Sequence, residues 1–138
     1  MKIRPESEIQ VIFKGDHADM ELLQVKGNGQ MLRKAFMNLM ENGCKYSEDH
    51  RVVIYLERVD QTVHLIFSDQ GMGIPENEQE MIFEPFFRSK QSHGKEGYGI
   101  GLALVKRVVT IHGGEITLKS VHGSGTEFTI ILPCICPA

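Results

Sequence analysis

Thr62-Val-His-Leu-Ile-Phe-Ser-Asp69-Gln-Gly71-Met-Gly73-Ile-Pro75 is the stretch from which the rest of the chain can be read. Val63, Leu65 and Phe67 alternate with other residues, the two-residue period of a strand with one buried face. The strand ends in a carboxylate, Asp69. Gly71 and Gly73 follow, and Pro75 stops the turn. Glycine lets a backbone take positive φ and lets a flat ligand lie close against it. An Asp at a strand end can accept a hydrogen bond from an exocyclic amine. Asp-x-Gly-x-Gly serves equally well in a plain turn, so alone the stretch leaves both readings open.

On its N-terminal side, residues 51–58 read as a second strand, joined to residues 62–68 through Asp60-Gln61 as a hairpin. Before that, residues 30–46 form the clearest helix of the chain. Met31, Leu32, Ala35, Phe36, Leu39 and Met40 recur with helical period and make its apolar face. Asn28, between two glycines, is placed to cap it. Residues 8–14 alternate, with Ile9, Val11 and Phe13 on one side, and predict a strand. Residues 20–25 predict a further short one.

On the C-terminal side, residues 76–82 predict a short helix with acids in its first turn. Phe83, Phe86 and Phe87 read as core aromatics. Residues 89–98 are polar, punctuated by glycine, and predict a mobile loop. Residues 99–112 predict a buried helix, with His112 as a cap or core residue and Gly113-Gly114 as its end. Strands near 115–121 and 126–132 close the chain around the turn Gly123-Ser124-Gly125. Helices and strands are mixed without strict alternation. That predicts an α+β two-layer sandwich, one mixed sheet with helices on one face, in a single domain spanning residues 1–138.

Composition is that of a soluble globular domain, with 41% apolar and 24% charged residues. A net charge of -3 gives no reason to expect a nucleic-acid surface, and no apolar run approaches a membrane span. The start lacks the apolar core of a signal peptide. The three cysteines, Cys44, Cys134 and Cys136, read as reduced thiols in a cytoplasmic protein, with Cys44 in the core.

Three groups of residues carry candidate chemistry. Asn38, Glu41, Asn42 and Lys45 share one face of the first helix at spacings of three and four. A carboxamide oxygen on Asn42 suits Mg²⁺ that also holds phosphate oxygens, Asn38 can support the same site, and Lys45 can pair with phosphate. A solvated polar face would look the same. Gly97-Tyr98-Gly99-Ile100-Gly101-Leu102 opens the second helix, where unpaired N–H groups and the helix dipole favour phosphate. A flexible hinge would look the same. Arg88 is either a surface residue or a cation that neutralises charge during transfer.

In chain order these are Asn38-Leu-Met-Glu-Asn42-Gly-Cys-Lys45-Tyr46, Asp69-x-Gly71-x-Gly73-Ile74, Phe83-Glu-Pro-Phe86-Phe87-Arg88, Gly97-x-Gly99-x-Gly101-Leu102 and Gly123-x-Gly125-Thr126-x-Phe128. From about residue 27 to 133 the chain resembles the catalytic, ATP-binding domain of a bacterial two-component sensor histidine kinase. The resemblance implies the Bergerat sandwich shared with DNA gyrase, mismatch-repair ATPases and a heat-shock chaperone. It implies that Asp69 accepts from the adenine amine, with Gly71, Gly73 and Ile74 lining the base and Thr126 behind it. Asn42 would ligate Mg²⁺, with Asn38 near the phosphates and Lys45 and Tyr46 facing phosphate and ribose. Gly97, Tyr98, Gly99, Ile100, Gly101 and Leu102 would hold the phosphate tail. Lys45 and Arg88 would neutralise charge, and Glu41 would handle a proton or hold the site.

Such kinases phosphorylate a His followed by an acid, in a helical dimerisation domain. His17, His50, His64, His93, His112 and His122 are followed by Ala, Arg, Leu, Gly, Gly and Gly. The acceptor domain is therefore expected elsewhere, upstream, and this chain is not expected to autophosphorylate alone. Expected partners are ATP, that acceptor domain and, indirectly, a response regulator. Neither nucleic acid nor direct membrane contact is expected, although the whole protein can be a membrane-bound sensor. The rival readings are an anti-sigma-factor serine kinase and a nucleotide-binding module without transfer activity.

Overall fold

The alternation in β3 (Thr62–Asp69) sets the two sides of a five-stranded sheet. The computed structural model describes residues 7–15, 23–47, 49–87 and 101–135. Around β3 lie β1 (Glu8–Lys14), α1 (Gly29–Tyr46), β2 (Arg51–Val59), a 3-10 turn (Glu76–Glu78), α2 (Gly101–Ile111), β4 (Glu115–Val121) and β5 (Gly125–Pro133). The sheet order is β1-β2-β3-β5-β4. β1 pairs with β2 in parallel and every other pair is antiparallel.

Register turns the alternation of each strand into rows across the sheet. Leu56, Leu65, Ile130 and Ile116 form one row, and Ile54, Phe67, Phe128 and Leu118 the next. Both rows lie on the face that α1 and α2 cover. Ala35 and Leu39 of α1 and Val105, Val108 and Val109 of α2 are buried against them. This is the two-layer α+β sandwich the periodicities predict, a mixed, mostly antiparallel sheet with helices on one side.

Asn28 caps α1 as expected, its Oδ1 accepting from Met31 N at 3.0 Å. α2 ends where Gly113 enters the left-handed region at φ 75 and Gly114 N reaches back to Val109 O at 2.9 Å. His112 joins the two helices. Its Nδ1 donates to Val108 O at 2.7 Å, which leaves Nε2 free to accept from Asn28 N at 3.0 Å. The cap reading of His112 is therefore correct, and the cap serves both helices.

Gly27 leaves room for this ring. A Cβ there would meet His112 Cδ2 at 2.2 Å, and the ring is held at both nitrogens. Gly27→Ala is expected to cost about 2 kcal/mol. In a His112→Ala background the same change should cost much less, because the clash has gone. Urea unfolding of the two single variants and the double variant measures this coupling, and additive costs would refute it.

Four expectations need correction. Residues 23–26 form no strand: Gln24 O accepts from Ile135 N at 2.7 Å, and the remainder of 20–25 lies outside the described residues. The helix expected over 76–82 is only the 3-10 turn Glu76–Glu78, continued by separate i to i+3 bonds such as Met81 N to Glu78 O. Phe83 and Phe87 pack on the core, Phe83 edge-on to Phe128 at 6.1 Å. Phe86 does not: it sits at φ 67 and is 74% exposed. Cys44 is free and buried as expected, but Cys134 is disulfide-bonded, and Cys136 lies outside the described residues. The loop expected over 89–98 also lies outside them.

Candidate functional site

One row further along the same face, the sheet changes character. Asp69, Thr126 and Ser120 are Cα partners across β3, β5 and β4, where the two preceding rows are apolar. A polar row at the end of a core is a place for a ligand with one apolar and one hydrogen-bonding edge. Asp69 Oδ1 accepts from Gly71 N at 2.8 Å, the only hydrogen bond to this carboxylate among the described residues. The Asp-x-Gly turn thus fixes one carboxylate oxygen and leaves Oδ2 to face α1.

The loop after Asp69 and the β4–β5 turn are docked on one another. Gly123 N donates to Met72 O at 2.6 Å. Gly73, at φ 72, has Val121 O where a Cβ would come within 2.2 Å. Gly125, at φ 115, likewise has Asp69 O at 2.4 Å from a Cβ position. Gly73 and Gly125 are needed by backbone packing, whatever they do for a ligand. Ile74 N donates to Ser120 Oγ at 2.8 Å, and Gln79 Nε2 donates to Ile74 O at 2.9 Å. Ile74 is therefore held at both its N–H and its carbonyl, the first by β4.

α1 closes the other side. A Cβ on Gly43 would lie 2.4 Å from Val52 Cγ2 and 3.5 Å from Asp69 Oδ2, so the helix approaches the carboxylate through a glycine. One turn earlier, Asn38 Oδ1 lies 3.7 Å from the Cβ position of Gly101, which brings the asparagine face of α1 to the start of α2. Asn42 and Glu41 stand between these contacts on α1. One oxygen of Glu41, Oε2, is buried with no hydrogen-bond partner among the described residues. Lys45 lies in the last turn of α1, where a cation suits the helix dipole. Leu102 packs partly into the core.

The fold so gathers Asn38, Glu41, Asn42, Asp69, Gly71, Gly73, Ile74, Gly101 and Thr126 around one end of the core. Arg88, Gly97, Tyr98, Gly99 and Ile100, and the side chain of Tyr46, lie outside the described residues. Ser120, Gln79 and Gly43 belong to the site's framework and were not singled out from the sequence. Ser120 looks like an ordinary strand serine. Only its register beside Thr126 reveals it.

Burial pushes the Asp69 carboxyl up to about 6 from an ordinary 3.8, with Gly71 N–H pulling it down and nearby Asp49 adding to the rise. The folded chain then holds this proton more tightly than the unfolded one between pH of about 4 and 6. Stability from this group is present at low pH, is lost as pH rises through that window and is flat above it. Relative to Asp69→Asn, the wild type is expected to gain up to about 2 kcal/mol between pH about 7 and 4, each tenfold difference in proton affinity being worth about 1.4 kcal/mol. Urea unfolding of both proteins across that range measures it. A constant difference would refute the buried carboxylate.

Residues 27–135 match the family described as "Histidine kinase-, DNA gyrase B-, and HSP90-like ATPase", and the chain belongs to that family. The chain is 39% identical over 128 residues to "Adaptive-response sensory kinase SasA" of Microcystis aeruginosa (strain NIES-843 / IAM M-2473), covering 91% of this chain and 33% of SasA. The solved structure "Mycobacterial sensor histidine kinase MprB" superposes with a TM-score of 0.83 at 34% identity, covering 97% of this chain and 88% of that one. "ShkA full-length in complex with AMPPNP" superposes with a TM-score of 0.78 at 26% identity, covering 95% of this chain and 26% of that one. The chain is thus homologous to the ATPase domain of sensor histidine kinases. It spans about a third of the length of the SasA relatives it matches. No helix among the described residues is long and apolar enough to cross a membrane.

Proposed function

We propose that this chain binds Mg·ATP and presents the γ-phosphate to a histidine on a separate dimerisation domain, in two-component signalling with a response regulator downstream. The observation that carries the reading is the polar row at the end of the core: Asp69 with one oxygen held by Gly71 N–H, Thr126 beside it, and the asparagine face of α1 opposite. An adenine amine donates to Asp69 Oδ2, while Gly71, Gly73 and Ile74 line the ring. Guanine, with an oxygen at that position, meets a second acceptor and is rejected.

Mg²⁺ fits the donors on α1. Among the described residues no three His, Cys, Asp or Glu side chains cluster as a dedicated metal cage. Mg²⁺ needs none: it keeps waters and takes substrate phosphate oxygens with one or two protein oxygens. Asn42 would supply one, with Asn38 near the phosphates and the buried Glu41 oxygen holding the site or accepting a proton. The ion would neutralise phosphate charge. Lys45 and Arg88 would add to this, and Gly97 to Leu102 would hold the tail. Catalysis on this reading is positioning and charge neutralisation.

The test mixes the chain with Mg·ATP and candidate acceptor domains. Acid-labile phosphate on a histidine supports the reading. Acid-stable phosphoserine on an anti-anti-sigma partner makes it an anti-sigma-factor serine kinase. ATP binding without transfer to any acceptor makes it a nucleotide-binding module.

A further inference from the structure

Ser120 stands on β4, on none of the sequence motifs, yet three segments of the site meet at its hydroxyl. It accepts from Ile74 N at 2.8 Å, lies 2.9 Å from Gly125 O and lies 3.0 Å from Thr126 Oγ1. A hydroxyl has one proton and two lone pairs. Gly125 O is a carbonyl and can only accept, so the Ser120 proton goes there. Ile74 N–H can only donate and takes one lone pair. The remaining lone pair must receive a proton from Thr126. Ser120 is then saturated, and Thr126 has spent its only proton.

That proton count decides what Thr126 offers to a ligand. With its proton turned to Ser120, it faces the site as an acceptor. Asp69, its Cα partner, is an acceptor as well. We infer that Ser120 is a positioning residue that sets base selectivity: it holds the site's edge as two acceptors with no donor, so a purine carrying a 6-oxo group finds no proton there. The inference rests on the adenine-site reading above. It assigns selectivity not to Asp69 alone but to a hydroxyl that need not touch the ligand.

Freed from Ser120, the Thr126 proton can turn to a 6-oxo oxygen, and the Ile74 loop loses one of its ties to β4. Ser120→Ala is therefore expected to lower the ratio of Mg·ATP to Mg·ITP affinity by about tenfold, the effect of one hydrogen bond. Ser120→Thr keeps the hydroxyl and should restore the ratio. Calorimetric titration of both nucleotides into the wild type and both variants, with a thermal melt of each protein, provides the test. A loss of folding would lower both affinities together and leave the ratio unchanged. An unchanged ratio in folded Ser120→Ala overturns the inference, as does a ratio that Ser120→Thr fails to restore. A wild type that binds ATP no better than ITP overturns the Asp69 reading, a separate outcome.

Discussion

Asp69→Asn is expected to cut ATP affinity by about a hundredfold, the upper range for a hydrogen bond to a charged group, and to leave the fold intact. The direction follows from which oxygen is already used. Gly71 N–H points at Oδ1 from 2.8 Å and requires an oxygen there. In the variant the amide must then place its nitrogen where Oδ2 was. That nitrogen donates, and so does the adenine amine, so the contact turns from attraction to two donors facing each other. The shape of the side chain hardly changes. Because burial makes the wild-type carboxylate costly when ionised, the variant should be at least as stable as the wild type near neutral pH. Calorimetry and a thermal melt give both quantities. Unchanged ATP affinity, with the protein folded, would remove Asp69 from base recognition.

Gly125→Ala carries the second large effect, on stability. The residue is buried, sits at φ 115 and has Asp69 O at 2.4 Å and Gln70 Cα at 3.1 Å from the position of a Cβ. Both are backbone atoms, so neither can swing away. The cost combines left-handed strain of about 1–3 kcal/mol with a displaced β3–β5 pairing, about 4 kcal/mol in all. Gly123→Ala is the comparison. It too has a positive φ, 87, but nothing within 4 Å of its Cβ position, so it should pay strain alone, about 1–2 kcal/mol. Unfolding of the two variants separates packing from strain. Equal costs would mean that the docking of the β4–β5 turn on Asp69 does not matter. Where Gly125→Ala does not accumulate folded, intact Gly123→Ala carries the same conclusion.

The two predictions mark where sequence and structure divide. Strands β2, β3, β4 and β5 and helices α1 and α2 were legible within a residue or two over the described positions, because each is written in a period of two or 3.6 residues. The Asn28 cap and the His112 end of α2 were legible for the same local reason. The candidate site residues Asp69, the glycines after it, Asn38 and Asn42 also stand out in the chain, in short patterns of chemically specific residues. Where local signals were weak the reading failed. Residues 76–82 carry acids and a preceding proline but too little apolar periodicity to sustain a helix. Phe86 is as apolar as Phe83, and nothing beside it in the chain says that one is exposed and the other buried.

What the chain by itself determined was therefore its elements, its fold class and a list of candidate groups for the proposed nucleotide site. The tertiary structure alone decided how those groups divide the work. Gly73 and Gly125 owe their identity to backbone passing over them from other segments. Gly43 lets α1 reach the Asp69 carboxylate. Ser120, 46 residues from Ile74, settles which way the Thr126 proton points. The physical reason is range. Periodicity is written between neighbours a few residues apart, whereas register, close approach and shared protons exist only between segments that folding brings together.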